Sequence, residues 1–168
     1  MTKTINRKTI AIANQKGGVG KTNITFNLSG ALAEKKKRIL LIDLDQQGNL
    51  SSALLKNIYS LDRTIVDILL DDELPVEQVI QETSFPNIDI IPSNIDLSRI
   101  DIQLAAEPDA QYFLVDKLKE IRDSYHYIFL DYPPSLGLAT RIGLVAADEV
   151  IIPLECHEWA VKGTAYLR

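Results

Sequence analysis

Short apolar runs punctuate the chain, and each stops at a turn-forming or charged residue. Ile10–Ala13 leads into Gly17-Gly18-Val19-Gly20, Ile39–Ile42 stops at Asp43, and Ile88–Ile91 stops at Pro92-Ser93-Asn94. Further on, Tyr127–Leu130 stops at Asp131 and Pro133-Pro134, and Val150–Ile152 stops at Pro153. These runs are rich in β-branched residues and do not alternate strictly with polar ones, which is the pattern of strands covered on both faces.

Segments of helical period lie between them. From Thr22 to about Lys36, Ile24, Leu28, Ala31 and Leu32 share a face, with Gly30 placed for close packing against a sheet. Residues 49–58 and 64–70 are shorter helical candidates. Residues 109–122 carry Phe113, Leu114, Leu118 and Ile121 at helical spacing, and 135–147 can form another helix. A last segment from about Glu158 to Arg168 reads as a crossover helix that delivers no further strand. The alternation predicts an α/β fold: a three-layer sandwich whose mostly parallel sheet of five strands has helices on both faces. Either that sheet is complete, or the chain is a portion of a larger domain. The second is the expectation adopted, with 1–168 as one domain.

Composition narrows the class. A chain of 168 residues supports one hydrophobic core, and 46% apolar with 24% charged residues suits a globular protein. No apolar run approaches the length of a membrane span. Met1 to Lys8 is polar and basic, unlike a secretory signal. The single cysteine, Cys156, excludes an internal disulfide or a multi-cysteine metal site and fits a reducing cytoplasm. Net charge is −5, unevenly spread: residues 1–38 hold nine Lys/Arg against one acid, Glu34. Part of that excess is Lys35-Lys36-Lys37-Arg38, read as a solvated helix end where the dipole favours cations. Composition gives no support for a nucleic-acid partner.

The chemistry concentrates in Gln15-Lys16-Gly17-Gly18-Val19-Gly20-Lys21-Thr22. Glycines allow the backbone amides of Gly17 to Thr22 to turn inward around phosphate oxygens, and a helix starting near Thr22 adds its dipole and free amides. Lys21 would reach the β- and γ-phosphates, and the Thr22 hydroxyl would coordinate Mg²⁺. Strand, glycine loop and helix follow in the order a phosphate-binding loop requires. A dinucleotide fingerprint is disfavoured, because position 23 holds Asn23 and not a small residue. The usual loop pattern would place glycine at position 15 and ask nothing of Lys16. A second lysine there is open to a role elsewhere, for example across a dimer interface.

Carboxylates at strand ends complete the constellation. Asp131 is placed to hold Mg²⁺ directly or through water. Asp43 and Asp45 can both face the phosphates only if the chain turns at Gln46-Gln47-Gly48-Asn49. Hydrolysis needs an oriented water and positive charge on the transferring group, and Asp45 is assigned the water. Cys156-His157-Glu158-Trp159 is thin evidence for a metal site and reads as turn and helix-start residues.

On these residues the chain resembles the ParA/MinD family of deviant Walker A ATPases, and within it the short ParA/Soj-type partition ATPases. The matching pieces are Lys16 to Thr22, Asp43-Leu44-Asp45 with Gln47-Gly48-Asn49, Ile91-Pro92-Ser93 and Asp131-Tyr132-Pro133-Pro134, followed by Ile152-Pro153 and Gly163. The resemblance spans about residues 9 to 168 and implies a P-loop NTPase fold lacking its C-terminal strands. It further implies ATP and Mg²⁺ as cofactors, with Lys16, Gly17, Gly18, Val19, Gly20, Lys21, Thr22 and Asn23 at the nucleotide and Thr22, Asp43 and Asp131 at the metal. Lys16, Lys21 and Asp45 are the expected catalytic residues, Lys16 acting on nucleotide bound by the other subunit of an ATP sandwich dimer.

The family's behaviour sets the remaining expectations. They are weak, partner-stimulated ATP hydrolysis, a ParB-type centromere-binding partner, non-specific DNA binding through residues expected beyond Arg168, and a cytoplasmic protein that associates with the nucleoid when ATP-bound. Gln46 and Asn23 depart from the family pattern, the first at the turn after Asp45. The alternatives are a MinD-like membrane-associated division-site ATPase, whose C-terminal amphipathic helix is not evident here, and an ATP-binding scaffold with little hydrolysis.

Overall fold

A computed structural model describes residues 7–155. The helix expected over 158–168, Gly163 and the Cys156-His157-Glu158-Trp159 stretch lie outside the described residues. In chain order the regular elements are β1 (Lys8–Ile12), α1 (Lys21–Glu34), β2 (Ile39–Asp43), α2 (Asn49–Leu54), α3 (Ile65–Leu70) and β3 (Gln81–Glu82). There follow β4 (Ile88–Ile91), α4 (Ile100–Gln103), α5 (Phe113–Ile121), β5 (Tyr127–Asp131), α6 (Leu138–Ala146) and β6 (Glu149–Ile151). The strands form a six-stranded sheet in the order β3-β4-β2-β5-β1-β6. All neighbours are parallel except β3, which runs antiparallel to β4.

The sheet divides the core into the two halves expected of a three-layer α/β sandwich. Leu40, Ile42, Ile128 and Leu130 point to one face, where α3, α5 and α6 supply Ile68, Leu114, Leu118 and Ile142. Ile39, Leu41 and Phe129 point to the other, against Ala33 of α1 and Leu50 and Leu54 of α2. Because β2 is buried along its whole length, its sequence Ile-Leu-Leu-Ile-Asp shows no polar alternation. Helix α3 starts where the Asp67 carboxylate accepts the Thr64 amide at 2.6 Å, satisfying a donor that the helix leaves unpaired.

Several expectations are corrected. The described residues hold six strands rather than five; β3 is two residues long and has no apolar run to announce it. Helix α4, preceded by a 3₁₀ stretch over Ile95–Arg99, was also not foreseen. The candidate helix over 49–58 ends at Leu54, and that over 109–122 is α-helical only from Phe113 to Ile121. On α1 the buried stripe is Lys21, Thr25, Ser29 and Ala33, while Ile24, Leu28 and Leu32 are only partly covered. Thr25 and Ser29 can be buried because each hydroxyl donates to a carbonyl one turn back, at 3.0 and 2.5 Å. Gly30 is not a close-packing glycine: a Cβ there would meet nothing within 4 Å. That role falls to Gly143 of α6, where a Cβ would lie 2.4 Å from both Leu44 Cδ1 and the Tyr132 hydroxyl.

Candidate functional site

The three central strands, β1, β2 and β5, end together. Asp131 is in register with Ile12 on one side and with Asp43 on the other. The glycine loop after β1 and the two aspartates therefore share the C-terminal edge of the sheet, where open parallel sheets bind their ligands. Gly18 and Gly20 have φ of 77° and 83°, left-handed conformations that favour glycine. Gly20 caps α1, and its carbonyl accepts the Ile24 amide at 2.8 Å. Gly17 and Gly18 are exposed, Val19 and Gly20 half-buried, so the loop lies open along its length.

Lys21 is the first residue of α1 and is 7% exposed. Its ammonium folds back to the Lys16 carbonyl at 3.3 Å. Burial pulls its pKa below the ordinary lysine value, against the opposing charges of Asp131 and Asp45. The next residue, Thr22, donates its hydroxyl to Oδ2 of Asp131 at 2.7 Å, and the single Thr25 hydroxyl proton is shared between the Lys21 carbonyl at 3.0 Å and Oδ1 of Asp131 at 3.2 Å. Burial raises the Asp131 carboxyl to about 7; the two threonine hydrogen bonds oppose the rise, and the charges of Asp43 and Asp45 add to it. Asn23 is exposed, its side-chain oxygen paired with Asn27 one turn further along α1.

Asp43 is fully buried, and both its oxygens are engaged. Oδ1 accepts the Asp45 amide at 3.0 Å, and Oδ2 accepts the Ser51 amide and hydroxyl at 2.9 and 2.7 Å. Burial raises its pKa to about 6 despite these bonds. Asp45, 8% exposed, accepts the Gln47 amide at 3.0 Å, while its carbonyl accepts the Gly48 amide at 2.9 Å. The turn thus forms with Gln46 in place, helped by Gly48 at φ 61°. Asp45 lines a cavity of about 270 Å³ shared with Gln47, Ser98, Asp101, Pro134 and Ser135. Lys16 is exposed, and its ammonium pairs with Glu155.

These features match known proteins over almost the whole chain. A family model described as an AAA domain matches residues 7–168. The sporulation initiation inhibitor protein Soj of Bacillus subtilis is 42% identical over 160 residues, covering 95% of this chain and 63% of that protein. The chain belongs to the ParA/Soj/MinD family of deviant Walker A P-loop ATPases.

Solved structures agree with that placement and with the P-loop NTPase-like fold. A cobyrinic acid a,c-diamide synthase from Mycobacterium smegmatis with bound ADP and magnesium superposes with a TM-score of 0.89 at 34% identity, covering 96% of this chain and 65% of that one. A plasmid partition protein from Borrelia burgdorferi bound to AMPPNP gives 0.84 at 30% identity, covering 96% and 68%. The chain spans between 50% and 63% of the length of the curated relatives it matches.

The donor set at the edge of this family member's sheet fits a hard cation held beside phosphate. Two buried carboxylates stand in register, a threonine hydroxyl touches one of them, and a helix N-terminus and a lysine face the same place. Among the described residues no group of three or more His, Cys, Asp or Glu could hold a metal unaided. Waters and phosphate oxygens would complete the coordination of a magnesium ion there. Sequence reasoning missed Thr25, Ser51 and Asn14. Thr25 braces Asp131, Ser51 braces Asp43, and Asn14 accepts the Lys16 amide at 2.9 Å. The only signal for Thr25 was its spacing, three residues beyond Thr22 on the same helix.

Proposed function

We propose that this chain is the nucleotide-binding part of a Mg²⁺-dependent ATPase that switches between a monomer and an ATP-bound sandwich dimer to drive plasmid or chromosome partitioning. The observation that carries the reading is the hydrogen bond from Thr22 to Asp131 at the mouth of the left-handed glycine loop, with the buried Lys21 ammonium feeling the Asp131 charge. The amides of Gly17 to Thr22 hold the phosphates, and Asn23 contributes through its place in the first turn of α1. Lys21 neutralises charge between the β- and γ-phosphates, and the lowering of its pKa reflects the burial of its ammonium.

Mg²⁺, held by Thr22 and Asp131 with Asp43 behind them, would offset phosphate charge when bound. Asp43 keeps its oxygens on the Asp45 amide and on Ser51, and so fixes the turn that presents Asp45. Asp45 orients the attacking water. Lys16, supplied by a second copy, adds charge over the transferring group, so that hydrolysis and dimerisation are coupled.

The names of the relatives support the wider role. Proteins described as Soj and as chromosome partitioning protein ParA match this chain at 39% to 43% identity. A ParB-type centromere-binding protein is the proposed stimulating partner, non-specific DNA the proposed track, and the cytoplasm and nucleoid the proposed location. Among the described residues no helix is long and apolar enough to cross a membrane.

The deciding experiment compares Lys21→Ala and Asp45→Ala for ATP affinity and phosphate release. Lys21→Ala is expected to lose nucleotide binding. Asp45→Ala is expected to bind ATP, dimerise, and release phosphate at least about a hundredfold more slowly. Unchanged phosphate release by Asp45→Ala removes the water-orienting role and leaves an ATP-binding scaffold as the better reading.

A further inference from the structure

Lys16 stands at the junction of two segments that are tied together. After β1, the Ala13 amide donates to the Ile151 carbonyl at 3.1 Å, and the Asn14 side chain donates to the Pro153 carbonyl at 2.7 Å. The oxygen of the same Asn14 side chain accepts the Lys16 amide. Asn14 thereby sets the backbone at the start of the glycine loop against the stretch that follows β6. On that stretch lies Glu155, whose carboxylate is the ion-pair partner of the Lys16 ammonium. The pair is formed within one molecule, at the rim of the phosphate site, with side chains 54% and 36% exposed.

We infer that Glu155 is a latch that draws Lys16 onto its own molecule, and that ATP-dependent dimerisation works against this pair as Lys16 turns to the phosphates of a second copy. The inference rests on the cross-subunit role given to Lys16 in the proposed function. An ammonium has three donors, but the Glu155 carboxylate and a phosphate held by a second copy are both anionic and repel each other when gathered on one lysine, so the two contacts compete. The competition is graded and not absolute. Exposed ion pairs are worth a factor of up to about five in an equilibrium constant. A symmetric dimer releases two latches, so the combined factor on the dimer constant is up to about 25. The latch makes the apo state hold its lysine in a defined place and raises the nucleotide occupancy needed for pairing.

The test uses the full chain with AMPPNP and Mg²⁺, and reads the dimer dissociation constant by sedimentation. Glu155→Gln keeps the side-chain shape and removes the charge. It is expected to tighten the dimer by about 2- to 25-fold, with the monomer's affinity for AMPPNP unchanged. In a Lys16→Ala background the same substitution is expected to tighten the dimer by less than it does in the wild type, and the wild-type difference should shrink in high salt. Dimerisation of Glu155→Gln that is equal to or weaker than wild type, while Lys16→Ala weakens the dimer, overturns the latch and leaves the cross-subunit role standing. Normal dimerisation of Lys16→Ala overturns the cross-subunit role itself, and the latch with it.

Discussion

Thr22 and Asp131, 109 positions apart, meet through a hydrogen bond of 2.7 Å from the threonine hydroxyl to Oδ2 of the carboxylate. One residue lies in the first turn of a helix and the other closes a strand, and their contact joins the phosphate loop to the middle of the sheet. Thr25 holds the other oxygen at 3.2 Å, so Asp131 cannot rotate freely. Replacing Thr22 with valine keeps the β-branched shape and removes the hydroxyl. Thr22→Val is expected to remain folded but to weaken Mg²⁺-dependent ATP turnover by about 10- to 100-fold. A magnesium titration of turnover checks this; a Mg²⁺ requirement identical to wild type would remove Thr22 from the metal site.

Asp43 and Asp45 are two residues apart and should respond differently. The Asp43 carboxylate accepts the Asp45 amide, the Ser51 amide and the Ser51 hydroxyl in a fully buried place. Ser51 in turn accepts the Ser93 amide at 2.9 Å, so one small network ties β2, α2 and the end of β4. Asp43→Ala leaves buried donors without acceptors, at roughly 1–3 kcal/mol for each strongly affected group. Urea denaturation is expected to show a loss of at least about 2 kcal/mol for Asp43→Ala and a change below about 1 kcal/mol for Asp45→Ala. Equal losses for the two variants would mean that Asp45 is also structural.

The sequence made the central strands readable because each is an unbroken apolar run ending at Asp43, Asp131 or the glycine loop. Left-handed Gly18 and Gly20 were readable for the same reason: a loop that wraps phosphate has few other solutions. What could not be read was the contact side of α1. Thr25 and Ser29 look solvent-facing by composition, yet they are buried because each hydroxyl is satisfied on its own helix. Nor could spacing separate the two strand-end aspartates. Ser51, eight residues beyond Asp43, donates both its amide and its hydroxyl to Oδ2, and nothing in the local pattern of Asn49-Leu50-Ser51 announces that contact. Lys117 was hidden likewise: it sits 3% exposed on the inner side of α5 because its ammonium reaches the carbonyls of Asp72 and Leu74.

Two helix-interior glycines give opposite expectations. At Gly30 an added Cβ meets nothing within 4 Å, so alanine gains helix propensity at no steric cost. Gly30→Ala is expected to stabilise by about 0.5–1 kcal/mol. At Gly143 an added Cβ would collide with Leu44 and Tyr132, both almost wholly buried. Gly143→Ala is expected to destabilise by about 1–3 kcal/mol, because α6 must shift away from the strand end that carries Asp131. Thermal unfolding of both variants tests the pair, and a stabilised Gly143→Ala would show that this contact yields easily.

Asp148 supplies a pH dependence whose direction can be worked out. Burial pushes its carboxyl upward, but the Thr9 amide at 2.8 Å, the hydrogen bond from Arg122 and the charges of Arg122 and Lys8 together outweigh this, leaving its pKa below the ordinary value. Above about pH 5 the group is ionised in both the folded and unfolded chains, and these interactions contribute fully. As pH falls further, the unfolded chain takes up the proton first, and the contribution is lost as pH passes through the folded value. Asp148→Asn keeps an oxygen for the Thr9 amide and removes only the charge. With the carboxylate side chain 38% exposed, solvent screening limits the expected loss to less than about 1 kcal/mol at neutral pH. Denaturation midpoints of wild type and Asp148→Asn should therefore differ at pH 7 and converge below pH 4, whereas a gap that widens on acidification would reverse the sign assigned to this carboxylate.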